Sequence, residues 1–281
     1  MKSLLTTSKL EKRARNPQTE IPPNRVLRAV SPNAGVQAWY RKRLDTAIEQ
    51  MQTSLVFWLK AQYRASGAES LAADELPTVG LNQALRKLTK RWQTSFNKMA
   101  DSLSQELAER VRVNADAALL GRLRDRGLPT VKFTMSEEMR TAYQAVIGEQ
   151  VGLIKSIASE HLTDVQGIVM RAVARGHDMG QLSKDLQQRY DVTKRRAALI
   201  ARDQTAKATS TLQAERQKQI GITEGIWKHS HAGKHPRPSH VEANGKRFDL
   251  NKGMHLDGKW VMPGEEINCR CTWNAVIPGL D

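Results

Sequence analysis

The chain has 281 residues, 40% of them hydrophobic but only 5% aromatic, a composition that suits helices better than a β-sandwich. Its 44 Lys and Arg outnumber 29 Asp and Glu, and the formal charge of +15 favours a polyanionic partner such as DNA or an acidic protein face, although it can also serve solubility alone. The two cysteines, Cys269 and Cys271, are too close in sequence for a disulfide scaffold, and no apolar run approaches the ~20 residues of a membrane span, so we expect a protein made in a reducing cytoplasm without a membrane partner.

The first predicted segment is a basic, extended arm over residues 1–34. It contains four prolines and carries seven Lys or Arg against two Glu, with little periodic apolar content. Two interpretations stay open: a disordered terminus, or a tether that becomes ordered on a partner or on DNA.

The second segment, residues 35–221, is predicted to be a helical body. Apolar residues recur there at steps of three and four, which places them on one face of successive helices. The first two stripes are Tyr40, Leu44, Ile48, Met51, Leu55 and Trp58, and then Leu81, Leu85, Leu88, Trp92, Phe96, Met99, Leu103 and Leu107. A third long helix follows, ending near Val173, and two further helices are predicted at about 179–189 and 193–220.

Lys194, Arg195 and Arg196 open the last of these predicted helices, where the positive end of the helix dipole disfavours cations. Something else must then favour them. One alternative is plain solvation with acidic neighbours, and the other is contact with phosphate or with an acidic partner.

The third segment, residues 222–281, is predicted to be a small module rich in β-hairpins. Five of the seven histidines and both cysteines lie in it, and Asn244-Gly245 and Asp257-Gly258 are both typical of two-residue hairpin turns. The predicted fold class is therefore α+β, with predominantly long helices followed by a small C-terminal module.

Two short motifs in this module carry its chemistry. The prolines in His235-Pro236-Arg237-Pro238-Ser239-His240 favour polyproline II, in which Arg237 and His240 share a side. In Asn268-Cys269-Arg270-Cys271, strand-like alternation places both thiols on one face and Arg270 on the other. Two neighbouring thiols are suited to bind a metal.

These motifs, in their order and spacing, resemble the phage Mu F-like head morphogenesis family. The resemblance covers about residues 175–281, including Arg202-Asp203-Gln204-Thr205, where many members have an Arg-Thr-Glu run. Other members have a Cys-x-x-Cys pair in place of His235 to His240. The residues that carry the motif are Trp227, His235, Arg237, His240, Gly245, Asn268, Cys269, Arg270 and Cys271.

The resemblance implies a minor capsid protein of a tailed bacteriophage that acts in head morphogenesis, without catalysis. It implies a virion location at the portal vertex or in the capsid interior, with portal, capsid or scaffold proteins as partners and DNA as a further candidate. No small-molecule substrate and no required cofactor are expected.

Two rival functions come from other classes. His229, His231, His235, His240 and Asp249 in a basic protein suggest a metal-dependent nuclease, but no compact acidic metal cluster accompanies them in the sequence. The charge also fits a non-specific DNA-binding protein, whereas a sequence-specific regulator is disfavoured because no helix-turn-helix, zinc-finger pair or basic zipper is evident.

A module of about fifty residues buries little surface and needs a staple or a neighbour. One alternative is a structural Zn²⁺ held by His240, Cys269, Cys271 and Glu266. The preferred alternative is docking, in which the thiols are small buried groups, because Cys-x-Cys is a less common metal spacing. The side chains predicted to pack on the helical body are Trp227, Phe248, Trp260 and Trp273.

Overall fold

The computed structural model describes residues 25–69, 77–174, 179–233 and 235–279. Their contacts form two compact units. The described residues of the helical unit lie within 38–105 and 147–201, and those of the sheet unit lie within 25–37, 106–146 and 202–279. The first 24 residues of the predicted arm lie outside the described part of the chain.

Four long helices account for most of the chain. They are α1 (Ala34–Glu69), α2 (Pro77–Arg124), α3 (Glu137–Ala174) and α4 (Met179–Gln219). The predicted stripes are buried with few exceptions, because a helix of 3.6 residues per turn aligns positions three and four apart. In the part of the chain that the structure describes, no helix has an apolar stretch long enough to cross a membrane.

Trp58 is the main exception to the first stripe, since it is 50% exposed. Leu59, four residues after Leu55, takes the next buried position on this face of the helix. Trp58, three residues after Leu55, lies outside that face. The prediction that Trp58 belongs to the core is therefore wrong.

The prediction of two helices at 179–189 and 193–220 is also wrong, since α4 is continuous. Thr193 lies inside this helix, where its hydroxyl donates to the carbonyl of Arg189 at 3.0 Å. Lys194, Arg195 and Arg196 therefore stand mid-helix, away from the helix dipole's positive end, and the argument that placed them at a helix start fails.

The sheet unit contains a four-stranded antiparallel sheet and a separate hairpin. The sheet order is β1-β6-β2-β3, and β4 pairs with β5. The elements in chain order are β1 (Val26–Leu27), β2 (Glu224–Lys228), α5 (Pro238–Glu242), β3 (Arg247–Asp249), β4 (Met254–Leu256), β5 (Lys259–Val261) and β6 (Thr272–Val276). The α+β fold class is confirmed.

Strand β1 lies within the segment predicted to be an extended arm. Val26 pairs with Val276 and Leu27 with Ala275, and the Leu27 side chain is buried. The end of the arm is thus fixed as an edge strand, because Leu27 fills the core while the backbone completes a ladder.

One of the two predicted hairpin turns is confirmed. Asp257 and Gly258 both have positive φ, 50° and 79°, as a two-residue turn between β4 and β5 requires. The prediction for Asn244-Gly245 is wrong, because the residues before it form the short helix α5 instead of a strand. Pro238 opens that helix at a position where its missing N–H costs nothing.

Aromatic side chains fill the core of the sheet unit. Trp227 and Phe248 pack edge to face at 6.0 Å between ring centroids, and Phe248 and Trp273 do so at 6.3 Å. Gly225 leaves room for these rings, because a Cβ at this position would lie only 2.7 Å from Trp273 Cδ1 and would clash with it. Trp260, predicted to pack with them, is instead 59% exposed on the β4–β5 hairpin.

Helices α2 and α4 complete this core within the sheet unit. Leu119, Leu123 and Ala214 belong to the same buried cluster as Trp227 and Trp273. The indole N–H of Trp273 also donates to Gln217 Oε1 on α4 at 2.8 Å, which satisfies its polar atom in the core.

Candidate functional site

Three soft donor side chains meet in the interior of the sheet unit. His240 lies on α5, and Cys269 and Cys271 lie in the segment that leads into β6. His240 Nδ1 is 3.5 Å from Cys269 Sγ and 3.7 Å from Cys271 Sγ. All three side chains are buried, at 2%, 5% and 5% exposure. The two sequence motifs therefore meet in one cluster, called here the HCC cluster.

Glu266 lies on the other side of the His240 ring. Its Oε2 accepts a hydrogen bond from His240 Nε2 at 2.9 Å, and its second oxygen contacts Lys259. Arg237 Nε is 3.6 Å from the same carboxylate. Burial raises the pKa of Glu266, but the bond from Lys259 and the charge of Arg237 outweigh it and lower the pKa overall, so Glu266 is a carboxylate.

The two thiols shift each other's pKa in opposite directions. A hydrogen bond from Cys271 is the largest effect on Cys269 and lowers the pKa of Cys269 to about 6, although burial acts in the opposite direction. The same bond raises the pKa of Cys271, and burial raises it further. Cys269 is thus the more acidic thiol of the pair.

The predicted alternation in Asn268-Cys269-Arg270-Cys271 is present, although this segment precedes the strand. Both thiols are buried and Arg270 is exposed. Arg237 and His240 also share a side, as both reach Glu266, but a helical turn and not polyproline II brings them together. Arg237 itself has extended backbone, with φ −68° and ψ 128°.

Asn268 has a left-handed backbone, with φ of 63°. Its N–H donates to Asp203 Oδ2 at 2.9 Å, and its side-chain oxygen accepts from Arg202. Asn tolerates this conformation better than most residues do. The Arg202-Asp203 pair of α4 thus fixes the turn before Cys269, a role that was not predicted because no sequence periodicity links the two segments.

Trp227 forms a wall of the HCC cluster, with its ring edge-on to His240 at 5.2 Å. The neighbouring His229 and His231 rings stack edge to face at 4.7 Å, and Asn244 Oδ1 accepts from the His229 N–H at 2.9 Å. Gly245, with φ of 82°, turns the chain from α5 toward β3.

The residues of the proposed nuclease site do not form one group, although His229 and His231 contact each other. His240 faces the two thiols, and His235 is exposed. Asp249 accepts bonds from the Asn251 backbone N–H at 2.7 Å and from its side-chain amide at 2.9 Å in the turn after β3. These contacts give Asp249 a role in the turn.

The basic run Lys194 to Arg196 lies in the helical unit and is partly engaged. Arg196 binds Glu160 at 2.9 Å and Ser156 at 3.0 Å, and the Lys194 ammonium lies 5.5 Å from the centre of the Tyr190 ring. Arg195 is the exposed member. Two of the three cationic groups in the run therefore already have neighbours within the helical unit.

Sequence reasoning also missed a buried ion pair in the sheet unit. Arg216, only 2% exposed, donates to both Asp116 oxygens, at 2.7 and 3.1 Å. It also donates to the Thr134 carbonyl at 2.5 Å and lies 5.0 Å above the Phe133 ring. The sequence offers one signal for such a pair, which is the position of Arg216 among the buried positions of its helix.

Comparisons with known proteins agree with the motif resemblance. Residues 163–274 match the family model described as Phage Mu protein F like protein. An uncharacterized protein of Haemophilus influenzae (strain ATCC 51907 / DSM 11121 / KW20 / Rd) is 27% identical over 266 residues, which cover 92% of this chain. The chain spans 56% of that relative's length. No solved structure matches.

Proposed function

We propose that this chain, which carries the Phage Mu protein F like region at residues 163–274, is a minor head protein of a tailed bacteriophage. In this proposal it acts in head morphogenesis as a low-copy structural component, without catalysis. Its place is the portal vertex or the capsid interior, and its partners are portal, capsid or scaffold proteins.

The observation that carries the proposal is the coincidence of the family region with a packed site. Within residues 163–274, Asp203 of α4 binds the turn at Asn268, and His240 packs against Cys269 and Cys271. The motif residues are therefore engaged largely with one another inside the sheet unit. Such an arrangement suits a rigid module for assembly better than an open active site.

The direct test uses a phage that encodes this chain. Cross-linking mass spectrometry on intact particles should detect the protein at low copy, with cross-links to portal or capsid subunits. Deletion of its gene should yield defective heads, restored when the intact gene is supplied in trans. Normal, DNA-filled heads without the protein, or its absence from purified heads, contradict the proposal.

Contact with DNA is a second proposal, supported by the charge of +15 and by the exposed Arg195. Phosphate neutralisation releases counterions, so log affinity should fall linearly with log salt. Replacement of Lys194 and Arg195 by Ala should reduce that slope by up to about two. No binding at low salt contradicts the proposal, and a pull-down with portal protein then tests an acidic protein surface.

The nuclease alternative is tested in the same preparation. Supercoiled DNA is incubated with the protein and Mg²⁺ or Mn²⁺, and we expect no turnover. Sustained cleavage that is lost in His240→Ala, but kept in the exposed control His235→Ala, contradicts a purely structural role.

A further inference from the structure

We propose that the HCC cluster is a zinc site in which His240, Cys269 and Cys271 are the protein ligands and Glu266 is a positioning residue. The ligand atoms are His240 Nδ1 and the two Sγ atoms, which lie within 4.8 Å of one another. A Cys₂His set is among those that bind zinc in proteins. This inference is independent of the role in head morphogenesis.

The spacing of the donor atoms fits a tetrahedral ion. With Zn–S of ~2.3 Å and Zn–N of ~2.1 Å, two donors at the tetrahedral angle are about 3.6 Å apart. The distances from Nδ1 to the two sulfurs are 3.5 and 3.7 Å. The three side chains can therefore bind one ion with little rearrangement.

The tautomer of His240 also fits. A carboxylate only accepts hydrogen bonds, so the 2.9 Å contact with Glu266 requires the proton on Nε2. In the neutral ring, the lone pair of Nδ1 then faces the two thiols. A carboxylate that binds the far nitrogen of a ligating histidine is a common feature of zinc sites, where it orients the ring and strengthens the ligand.

This geometry differs from the ligand set predicted from the sequence, in which Glu266 was itself a ligand. Glu266 lies on the Nε2 side of the ring, whereas the sulfurs lie on the Nδ1 side. Its oxygens are engaged by Lys259 and His240. Glu266 therefore acts through His240.

A backbone N–H also contacts one of the two sulfur ligands. The N–H of Gly264 points to Cys269 Sγ at 3.4 Å, a contact of the kind that stabilises metal-bound thiolates. Among the described residues, the grouping of donor atoms contains the histidine and the two cysteines and no fourth side chain. Solvent supplies the fourth ligand in this proposal.

The first experiment uses the unaltered full chain. Protein purified without added metal, or titrated with Zn²⁺ against a chromophoric chelator, should hold about one zinc ion per chain. Co²⁺ in place of Zn²⁺ should give the absorption of a tetrahedral ion with two thiolate ligands. Failure to take up zinc, or a Co²⁺ spectrum without thiolate charge-transfer bands, overturns the proposal whether or not any variant folds.

The second experiment separates ligands from the positioning residue. Cys269→Ser, Cys271→Ser and His240→Ala should each abolish stoichiometric binding, with the exposed His235→Ala as the control for His240. Glu266→Ala should weaken zinc binding by about 10- to 100-fold while the Co²⁺ spectrum keeps its shape. The matched control Glu242→Ala, an exposed acid on α5, should leave affinity unchanged.

Two results contradict the assigned roles. Loss of one ligand from the Co²⁺ spectrum in Glu266→Ala assigns Glu266 to the metal and overturns its positioning role. Unchanged zinc affinity in folded His240→Ala, as judged by circular dichroism, removes His240 from the site.

Discussion

Asp203 on α4 accepts the backbone N–H of Asn268, 65 residues further along the chain, at 2.9 Å. Asn268 immediately precedes Cys269 and has a positive φ. The carboxylate therefore holds in place a backbone conformation that most residues avoid, next to the first thiol of the HCC cluster. It connects α4 with the cysteine motif, both within the residues that match the family model.

We expect Asp203→Ala to destabilise the protein by about 1.5–3 kcal/mol, because it removes a largely buried, charge-assisted hydrogen bond. Asp203→Asn keeps one acceptor oxygen and should cost less. Urea unfolding measures both, with the exposed Asp125→Asn as the control. If Asp203→Ala matched that control, the bond would have no stabilising role.

The tryptophans of the C-terminal module should differ sharply in their contribution to stability. Trp273 is 5% exposed and bonded to Gln217, so Trp273→Ala should lower the free energy of unfolding by about 3–5 kcal/mol. Trp260 is 59% exposed, and Trp260→Ala should change it by less than about 0.5 kcal/mol. Equal losses for the two variants would place Trp260 in the core.

Removal of one partner from the buried Arg216–Asp116 pair should be costly. Asp116→Ala leaves the guanidinium in the interior without its carboxylate partner and should lower the free energy of unfolding by about 3–5 kcal/mol. The exposed pair Arg110–Glu106 offers a matched control, and Glu106→Ala should cost less than about 1 kcal/mol. A double-mutant cycle with Arg216→Met measures the coupling energy between the two residues. A coupling energy near zero would contradict the prediction.

His161 should make the stability of the chain depend on pH. The side chain is buried, and its Nδ1 donates to Thr193 Oγ1 at 2.9 Å, since that hydroxyl already donates to the Arg189 carbonyl. Burial, followed by the charge of Arg189, lowers the pKa of His161 to about 4, although Asp164 acts in the opposite direction.

The sign follows from proton binding. Because the folded pKa lies below the unfolded value of ~6.5, the unfolded state takes up the proton first as pH falls. The contribution of His161 is complete above about pH 6.5 and is lost toward pH 4, about 2 kcal/mol of it by pH 5. Unfolding of His161→Gln and the exposed control His235→Gln at pH 7 and 5 tests this. Only His161→Gln should lose the part of the pH dependence, about 2 kcal/mol between pH 7 and 5, that comes from His161.

Periodicity made most of the helical fold predictable. Positions such as Leu44, Leu85 and Leu103 are buried as their spacing indicates. The helix ends were less predictable: Thr193 was predicted to begin a helix, but here it lies inside α4 and its hydroxyl bonds back to the preceding turn. Trp58 was misplaced because a step of three or of four fits the pattern equally well.

The candidate site was predictable in its residues but not in its geometry. The motifs named His240, Cys269 and Cys271, and the structure brings all three together. Which nitrogen of His240 faces the thiols depends on the position of Glu266, and that follows from the β4–β5 hairpin and the turn after it. Such long-range placement leaves no periodic trace in the sequence.

Strand β1 has a consequence for the order in which the chain folds. Val26 pairs with Val276, about 250 residues later, so this edge of the sheet cannot form until nearly the whole described chain has left the ribosome. Until β6 has been made, β1 has no strand to pair with, because β6 is its neighbour in the sheet. In the folded sheet, β1 covers the edge of β6 that β2 leaves open, and a chain in which β1 were detached would expose that edge to pairing with another chain.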